Sequence, residues 1–266
     1  MRWLLNIKSF VRFTVLVSAL AAGGAESSEK CAMAEMITSA PTIPQGYNRL
    51  YTFLEQEKTI RSGNVDVLIL GDSLLYALKN MESSEYFKNR SVLNFAGPGD
   101  RIQNLLWRLE DKKIRNTVPS SIILLIGTNN LADGDPACAI VASLRKAVET
   151  IFDIWPRARL VLLTIPYRGP YLMDKRDSVD EVDAEMLEQR FSKERVTVLD
   201  TRTLISCNPD PTGAESNKNL AVCDDPAKHT STCYAYQSDM LHFSSDFTTK
   251  LTGELASALR QRGARW

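Results

Sequence analysis

Histidine is almost absent from this chain: His229 and His242 are the 2 imidazoles in 266 residues. Any chemistry that needs an imidazole base therefore has only these candidates. Net charge is absent too, because 32 Lys and Arg balance 32 Asp and Glu. No large field draws the chain to nucleic acid or to an anionic membrane surface, and a small neutral or polymeric substrate fits better. The sequence has no internal repeat and no low-complexity tract, and after residue 25 no apolar stretch is long enough to cross a bilayer. None of the 5 cysteines is spaced from another as zinc ligands usually are, so no metal is expected.

What is present begins with a leader. Residues 1–25 carry Arg2, Lys8 and Arg12, then the apolar stretch 13–20, then small residues. This reads as a secretory signal peptide cleaved after Ala21, Ala22 or Ala25, the alternative being an uncleaved signal anchor. Cys31 follows Ser-Ser-Glu-Lys, which does not suit a lipoprotein cysteine. The expected location is secreted or otherwise extracytoplasmic, with no stable membrane insertion once the signal is removed. Cys207, Cys223 and Cys233 crowd a polar, loop-like region where an oxidising compartment favours a bridge. Closing such a loop stabilises a fold by roughly 3 kcal/mol in the chain-entropy model. It would also brace the segment leading to Asp239 and His242. The pairing among Cys31, Cys138, Cys207, Cys223 and Cys233 stays open. The odd cysteine is either an intermolecular link or a buried free thiol, as Cys138 could be.

Short apolar runs at 65–70, 91–95, 121–126, 160–165 and 196–199 alternate with helical stretches. Ile102, Leu105, Leu106 and Leu109 recur at helical spacing. So do Ala139, Val141, Leu144, Val148, Ile151, Phe152 and Trp155, in a stretch ending at Pro156. A closing helix is expected over 247–262. The simplest account is an α/β fold, a three-layer α/β/α sandwich around a five-stranded parallel sheet. The expected organisation is a signal peptide at 1–25, an N-terminal extension at 26–62 with a short helix at 47–58, and one catalytic-sized domain at 63–266.

In a parallel sheet every strand's carboxyl end lies on one edge, where open α/β sheets place their chemistry. Three such ends are unusual: Gly71-Asp72-Ser73, Gly97-Pro98-Gly99-Asp100 and Gly127-Thr128-Asn129-Asn130. The backbone N–H groups of Ser73 and Gly99 and the side chain of Asn129 are suited to form an oxyanion hole. Serine is weakly nucleophilic at neutral pH and needs a base, and the base needs a partner that fixes its tautomer. Asp239-Met240-Leu241-His242 offers both. Other roles are open: Ser73 as a helix N-cap, Asn129 as a turn residue, Gly97 in place of Gly99, Asp200 in place of Asp239, and His229 as the base. Asp72 is expected to cap its turn. Arg101, Trp107, Tyr167, Arg168 and Tyr171 lie near strand ends, as substrate contacts or as surface. Residues 166–183, with Gly169-Pro170, are long and charged enough to form a rim or lid.

Together these blocks resemble the SGNH (GDSL) hydrolase family, over residues 65–245. Gly71-Asp72-Ser73-Leu74 matches its first block, Gly99 its glycine, Gly127-Thr128-Asn129 its asparagine block, and Asp239-Met240-Leu241-His242 its Asp-x-x-His block. Residues 93–100, Leu106-Trp107-Arg108-Leu109 and Gly127-Thr128-Asn129-Asn130 look most like the intracellular platelet-activating-factor acetylhydrolase catalytic subunits. The resemblance implies a flavodoxin-like SGNH fold, with Ser73 as nucleophile, His242 as base and Asp239 orienting the imidazole. Ser73, Gly99 and Asn129 would be the oxyanion donors, and no cofactor or metal is needed. The expected activity is that of a secreted serine esterase. It would remove a short acyl group, most plausibly acetyl, from a carbohydrate or small ester through an acyl-serine intermediate. Acyl transfer onto a glycan is an alternative, because cysteine-bearing loops before the Asp-x-x-His block look similar to SGNH domains of polysaccharide O-acetylation systems. A non-catalytic glycan- or lipid-binding protein is another, and it predicts a loss of catalytic groups that are all present here.

Overall fold

The computed structural model describes residues 28–188, 191, 194–205 and 235–261. Residues 1–25, expected as a leader, together with His229 and the cluster Cys207, Cys223 and Cys233, lie outside the described residues. The chain enters through α1 (28–38) and α2 (Tyr47–Thr59). It continues through β1 (Gly63–Gly71), α3 (Ser73–Tyr76), β2 (Val92–Asn94), α4 (Ile102–Arg108), α5 (Lys112–Arg115) and β3 (Thr117–Leu125). Then come α6 (Thr128–Asp133), α7 (Ala137–Ile154), β4 (Arg159–Leu163), α8 (Arg176–Leu187), β5 (Val196–Leu199) and α9 (Ser245–Gln261). The strands form one 5-stranded sheet in the order β2-β1-β3-β4-β5, and every neighbouring pair is parallel.

Helices on both faces explain why the strands are continuous apolar runs rather than alternating ones. Leu68, Ile69, Leu70, Ile122, Leu124 and Leu162 are all fully buried. α7 turns Ala139, Ile140, Leu144, Ala147, Val148 and Ile151 inward at three- and four-residue spacing. It ends at Trp155, whose indole N–H donates to the Thr117 carbonyl at 3.0 Å. β3 starts at Thr117, ahead of the apolar run expected at 121. Its first residues pair only with β1, with Val65 opposite Pro119. β4 joins at Ser121, so Pro119 sits where the sheet is open on one side and a missing N–H is tolerated.

α2 covers edge strand β2. The Phe53 ring packs against Phe95 and Trp107 at centroid distances of 5.8 and 4.7 Å. Gln56 donates to the Ala96 carbonyl at 2.8 Å. α1 is tied to α7 by a disulfide between Cys31 and Cys138, 107 residues apart. This corrects the reading of Cys138 as a free thiol: residue 138 lies off the buried face of α7, and nothing in the local pattern says that α1 lies across it. At the end of β1, a Cβ on Gly71 would fall 2.1 Å from the Leu125 carbonyl oxygen, so only glycine lets the two strand ends come together there. Residues 166–183 are no free lid. Gly169 donates to the Met240 carbonyl at 2.8 Å, and α8 buries Val179, Val182 and Asp183. Among the described residues no helix is long and apolar enough to cross a membrane.

Candidate active site

Ser73 opens α3 directly after β1, and Asp72 caps that helix by accepting the Leu74 N–H at 3.0 Å. The Ser73 hydroxyl lies 3.0 Å from His242 Nε2, across 169 residues of sequence. His242 Nδ1 lies 2.7 Å from Asp239 Oδ2. Asp239 Oδ1 accepts the backbone N–H groups of Leu241 and His242, both at 3.0 Å. Partial burial raises the Asp239 pKa, but the hydrogen bonds from the His242 ring and the two backbone N–H groups win and lower it to about 2. An ionised carboxylate only accepts, so Nδ1 carries the hydrogen and the Nε2 lone pair faces the serine hydroxyl.

The loop bearing Asp239 and His242 is fixed from several sides. Gln237 N–H donates to the His242 carbonyl at 2.7 Å, and Met240 N–H to the Gln237 carbonyl at 3.0 Å. The Tyr236 hydroxyl donates to the Tyr167 carbonyl. Met240 takes a left-handed φ of 51°, uncommon for a non-glycine residue and held here by these contacts. The segment expected as a rim or lid is thus tied directly to the loop that bears Asp239 and His242.

The residues expected as oxyanion donors are equally distinct. Gly97 N–H is engaged by the Gly71 carbonyl at 2.9 Å, whereas the N–H groups of Ser73 and Gly99 donate to no described residue. That separates the two glycines. Gly99 has φ 74°, a left-handed conformation that strains any residue with a side chain, and the Arg49 guanidinium lies close over it, 2.7 Å from where a Cβ would stand. The Asn129 amide donates one hydrogen to the Asp100 carbonyl at 2.8 Å and keeps its second free to donate. Asn130 stitches the same loops together: its Oδ1 accepts the Ile102 N–H at 2.9 Å, and its amide reaches Gln103 and Asp135 at 3.0 and 2.9 Å. The structure therefore gathers Ser73, Gly99, Asn129, Asp239 and His242 at one sheet edge.

Three buried carboxyls surround this edge, none of them evident as buried from the sequence. Burial pushes Asp72 up to about 7 and Asp183 up to about 8. It pushes Asp100 up to about 6 against the pull of Arg108, with which Asp100 forms a fully buried ion pair. Arg108 also donates to Gln56 at 3.0 Å and lies over the Phe53 and Phe95 rings at 5.3 and 5.5 Å. Gln56 and Arg49 both come from α2, which no motif had marked.

The remaining residues have structural engagements. Arg101 pairs with Asp133 at 2.7 Å, and Trp107 packs on Phe53. The Tyr167 hydroxyl donates to Asp180, and its ring lies 4.2 Å from the Arg176 guanidinium. Arg168 holds Asp174 at 2.7 Å and the Thr128 carbonyl at 3.1 Å. Asp200 accepts from Arg202 at 2.9 and 3.0 Å. The Tyr171 side chain lies outside the described residues. No group of three or more metal-ligating side chains gathers among the described residues.

Comparison with known proteins agrees with this geometry. Over 121 residues the chain is 31% identical to platelet-activating factor acetylhydrolase IB subunit alpha1 of Pongo abelii, a match covering 44% of this chain and 52% of the relative. The alpha2 subunit of Gallus gallus is 33% identical over 105 residues, 39% of this chain and 45% of the relative. The chain thus spans about half the length of the curated relatives it matches. A GDSL-like lipase from Bacteroides thetaiotaomicron shares the fold with a TM-score of 0.56 at 12% identity, covering 79% of this chain and 97% of that one. The family profile described as GDSL-like lipase/acylhydrolase matches residues 70–245, the span from the end of β1 to the start of α9. With its serine, glycine, asparagine and Asp-x-x-His blocks converging on one sheet edge, the chain belongs to the GDSL-like lipase/acylhydrolase family.

Proposed function

We propose that this protein is a secreted serine esterase that hydrolyses a short-chain ester, most plausibly acetyl, of a carbohydrate or small molecule through an acyl-serine intermediate. The observation that carries the reading is the chain of contacts from Ser73 Oγ to His242 Nε2 at 3.0 Å and from His242 Nδ1 to Asp239 at 2.7 Å. His242 takes the serine proton as Oγ attacks the ester carbon, then returns it to the departing alcohol. The ionised Asp239 stabilises the imidazolium formed in between. The negative charge on the former carbonyl oxygen is met by the Ser73 and Gly99 N–H groups and the free Asn129 amide hydrogen. Water, activated by His242, then releases the acid and regenerates the serine.

The acetyl preference draws support from the curated relatives, whose name is acetylhydrolase. Secretion draws support from the leader-like residues 1–25 and from the Cys31–Cys138 disulfide, a bond that persists in oxidising compartments. The test compares 4-nitrophenyl acetate, butyrate and octanoate, using the mature protein beside Ser73→Ala and His242→Ala. Activity on acetate that both substitutions abolish is expected. A Ser73→Ala protein with full activity would refute the assignment.

A further inference from the structure

A pocket of about 400 Å³ lies between the segment following α3 and the outer face of α9, and the chemistry above does not use it. No Asp, Glu, Lys or Arg lines it, so it offers no counter-charge to a phosphate or carboxylate. Ser84, Thr248, Thr249 and Thr252 line it with hydroxyl groups, beside the apolar Ala77, Leu78, Met81 and Phe243.

The hydrogen bonding of these hydroxyls says what would satisfy them. Ser84 donates to the Met81 carbonyl at 2.7 Å, Thr248 to Ser244 at 2.7 Å, Thr249 to Ser245 at 3.0 Å and Thr252 to Thr248 at 2.8 Å. Their protons are spent on the backbone, so they present lone pairs. The Asn80 amide and the Tyr86 hydroxyl, on the facing wall, donate to no described residue. Tyr86 is seated against α9, where a Cβ on Gly253 would stand 3.2 Å from its Cζ. Met81 and Phe243 supply an apolar floor. Hydroxyl acceptors, an amide and a phenol donor, no charge and an apolar floor together fit a ring that carries both hydroxyls and C–H faces.

Two residues of the pocket wall are hydrogen-bonded to the backbone of Ser73 and His242. Ala77, at the end of α3, lines it and donates to the Ser73 carbonyl at 3.2 Å. A four-residue step along a helix is about 6 Å. Gln237 lines it too, and donates from its backbone to the His242 carbonyl at 2.7 Å and from its side chain to the Phe243 carbonyl at 3.0 Å.

We propose that this pocket binds a neutral glycosyl unit, so that an ester on that sugar or its neighbour reaches Ser73. The inference rests on the esterase reading for its catalytic arm alone. The experiment has two arms. In the binding arm, Ser73→Ala is titrated by NMR with methyl glucoside, methyl galactoside, N-acetylglucosamine and xylobiose, beside the same protein carrying Tyr86→Phe and Thr249→Val. Saturable binding of at least one sugar is expected, weakened about tenfold by the two substitutions, the loss expected for one or two hydrogen bonds. In the catalytic arm, kcat/KM of Tyr86→Phe/Thr249→Val falls by a similar factor on mono-O-acetyl xylobiose and methyl 6-O-acetylglucoside, while 4-nitrophenyl acetate turnover stays within twofold.

Sugar binding by Ser73→Ala, alongside a wild-type protein without esterase activity, would remove the esterase reading and leave the sugar site standing. Esterase activity with none of the four sugars bound would overturn the site. So would a double variant that improves 4-nitrophenyl octanoate turnover, since the pocket would then be an acyl channel.

Discussion

Asp72 stands one residue before the proposed nucleophile with no exposure to solvent. Its Oδ1 accepts the Leu74 N–H, and its Oδ2 is buried without a hydrogen-bond partner. Burial raises the carboxyl from 3.8 to about 7, against the opposing Leu74 hydrogen bond and with the help of nearby Asp100. The folded state therefore holds this proton after the unfolded chain has released it. A folded pKa above the unfolded value means stability is fully present at acid pH and is lost as pH rises through about 7. The loss accrues at about 1.36 kcal/mol per pH unit within that window, giving about 2–3 kcal/mol between pH 5 and pH 8. Asp72→Asn keeps an acceptor for Leu74 and never ionises, and the cost of its buried NH₂ is the same at both pH values. The variant should therefore gain about 2–3 kcal/mol on the wild type between pH 5 and pH 8. That is about 5–10 °C in relative Tm for a domain of this size. Thermal and urea unfolding of both proteins at each pH, disulfides intact, measures the difference. Parallel stability-versus-pH curves would refute the argument, because Asp72 would then be ionised alike in both states.

Two further outcomes follow from the geometry. Asn129→Ala should lower kcat by roughly 10²–10³, the usual effect of losing one oxyanion donor; a change confined to KM would mean the amide serves ground-state binding instead. Cys31→Ser or Cys138→Ser releases a cross-link spanning 107 residues, worth about 4–5 kcal/mol in the chain-entropy model. Denaturant midpoints of the two variants should fall together, while an unchanged midpoint would show that the cross-link contributes nothing to global stability.

Much of the fold was legible because burial in a parallel sheet is written locally. Five apolar runs became five strands, and α7 and α9 follow the three- and four-residue spacing of their buried residues. Boundaries slipped where that signal is weak, as at Thr117, whose polar and proline-bearing neighbours do not look like a strand. The convergence of Ser73, Gly99, Asn129 and His242 was legible for a different reason: a parallel sheet brings every strand's carboxyl end to one edge. The choice of Gly99 over Gly97 came from the family resemblance alone; its physical basis, that the Gly71 carbonyl has already engaged the Gly97 N–H, is a tertiary contact. The buried Asp100–Arg108 pair and the anchoring by Asn130 were not legible, because nothing in a one-dimensional pattern says that a charge will be enclosed.

The sequence by itself determined the order of elements and the residue types at each strand end, both set by interactions within a few residues of chain. Only the tertiary structure decided that Cys138 meets Cys31, that residues 166–183 brace the His242 loop, that Arg49 lies over Gly99, and that α9 and the segment after α3 form the walls of one pocket. Each of these depends on two stretches far apart in the chain arriving at one place, and that meeting is set by how the layers pack.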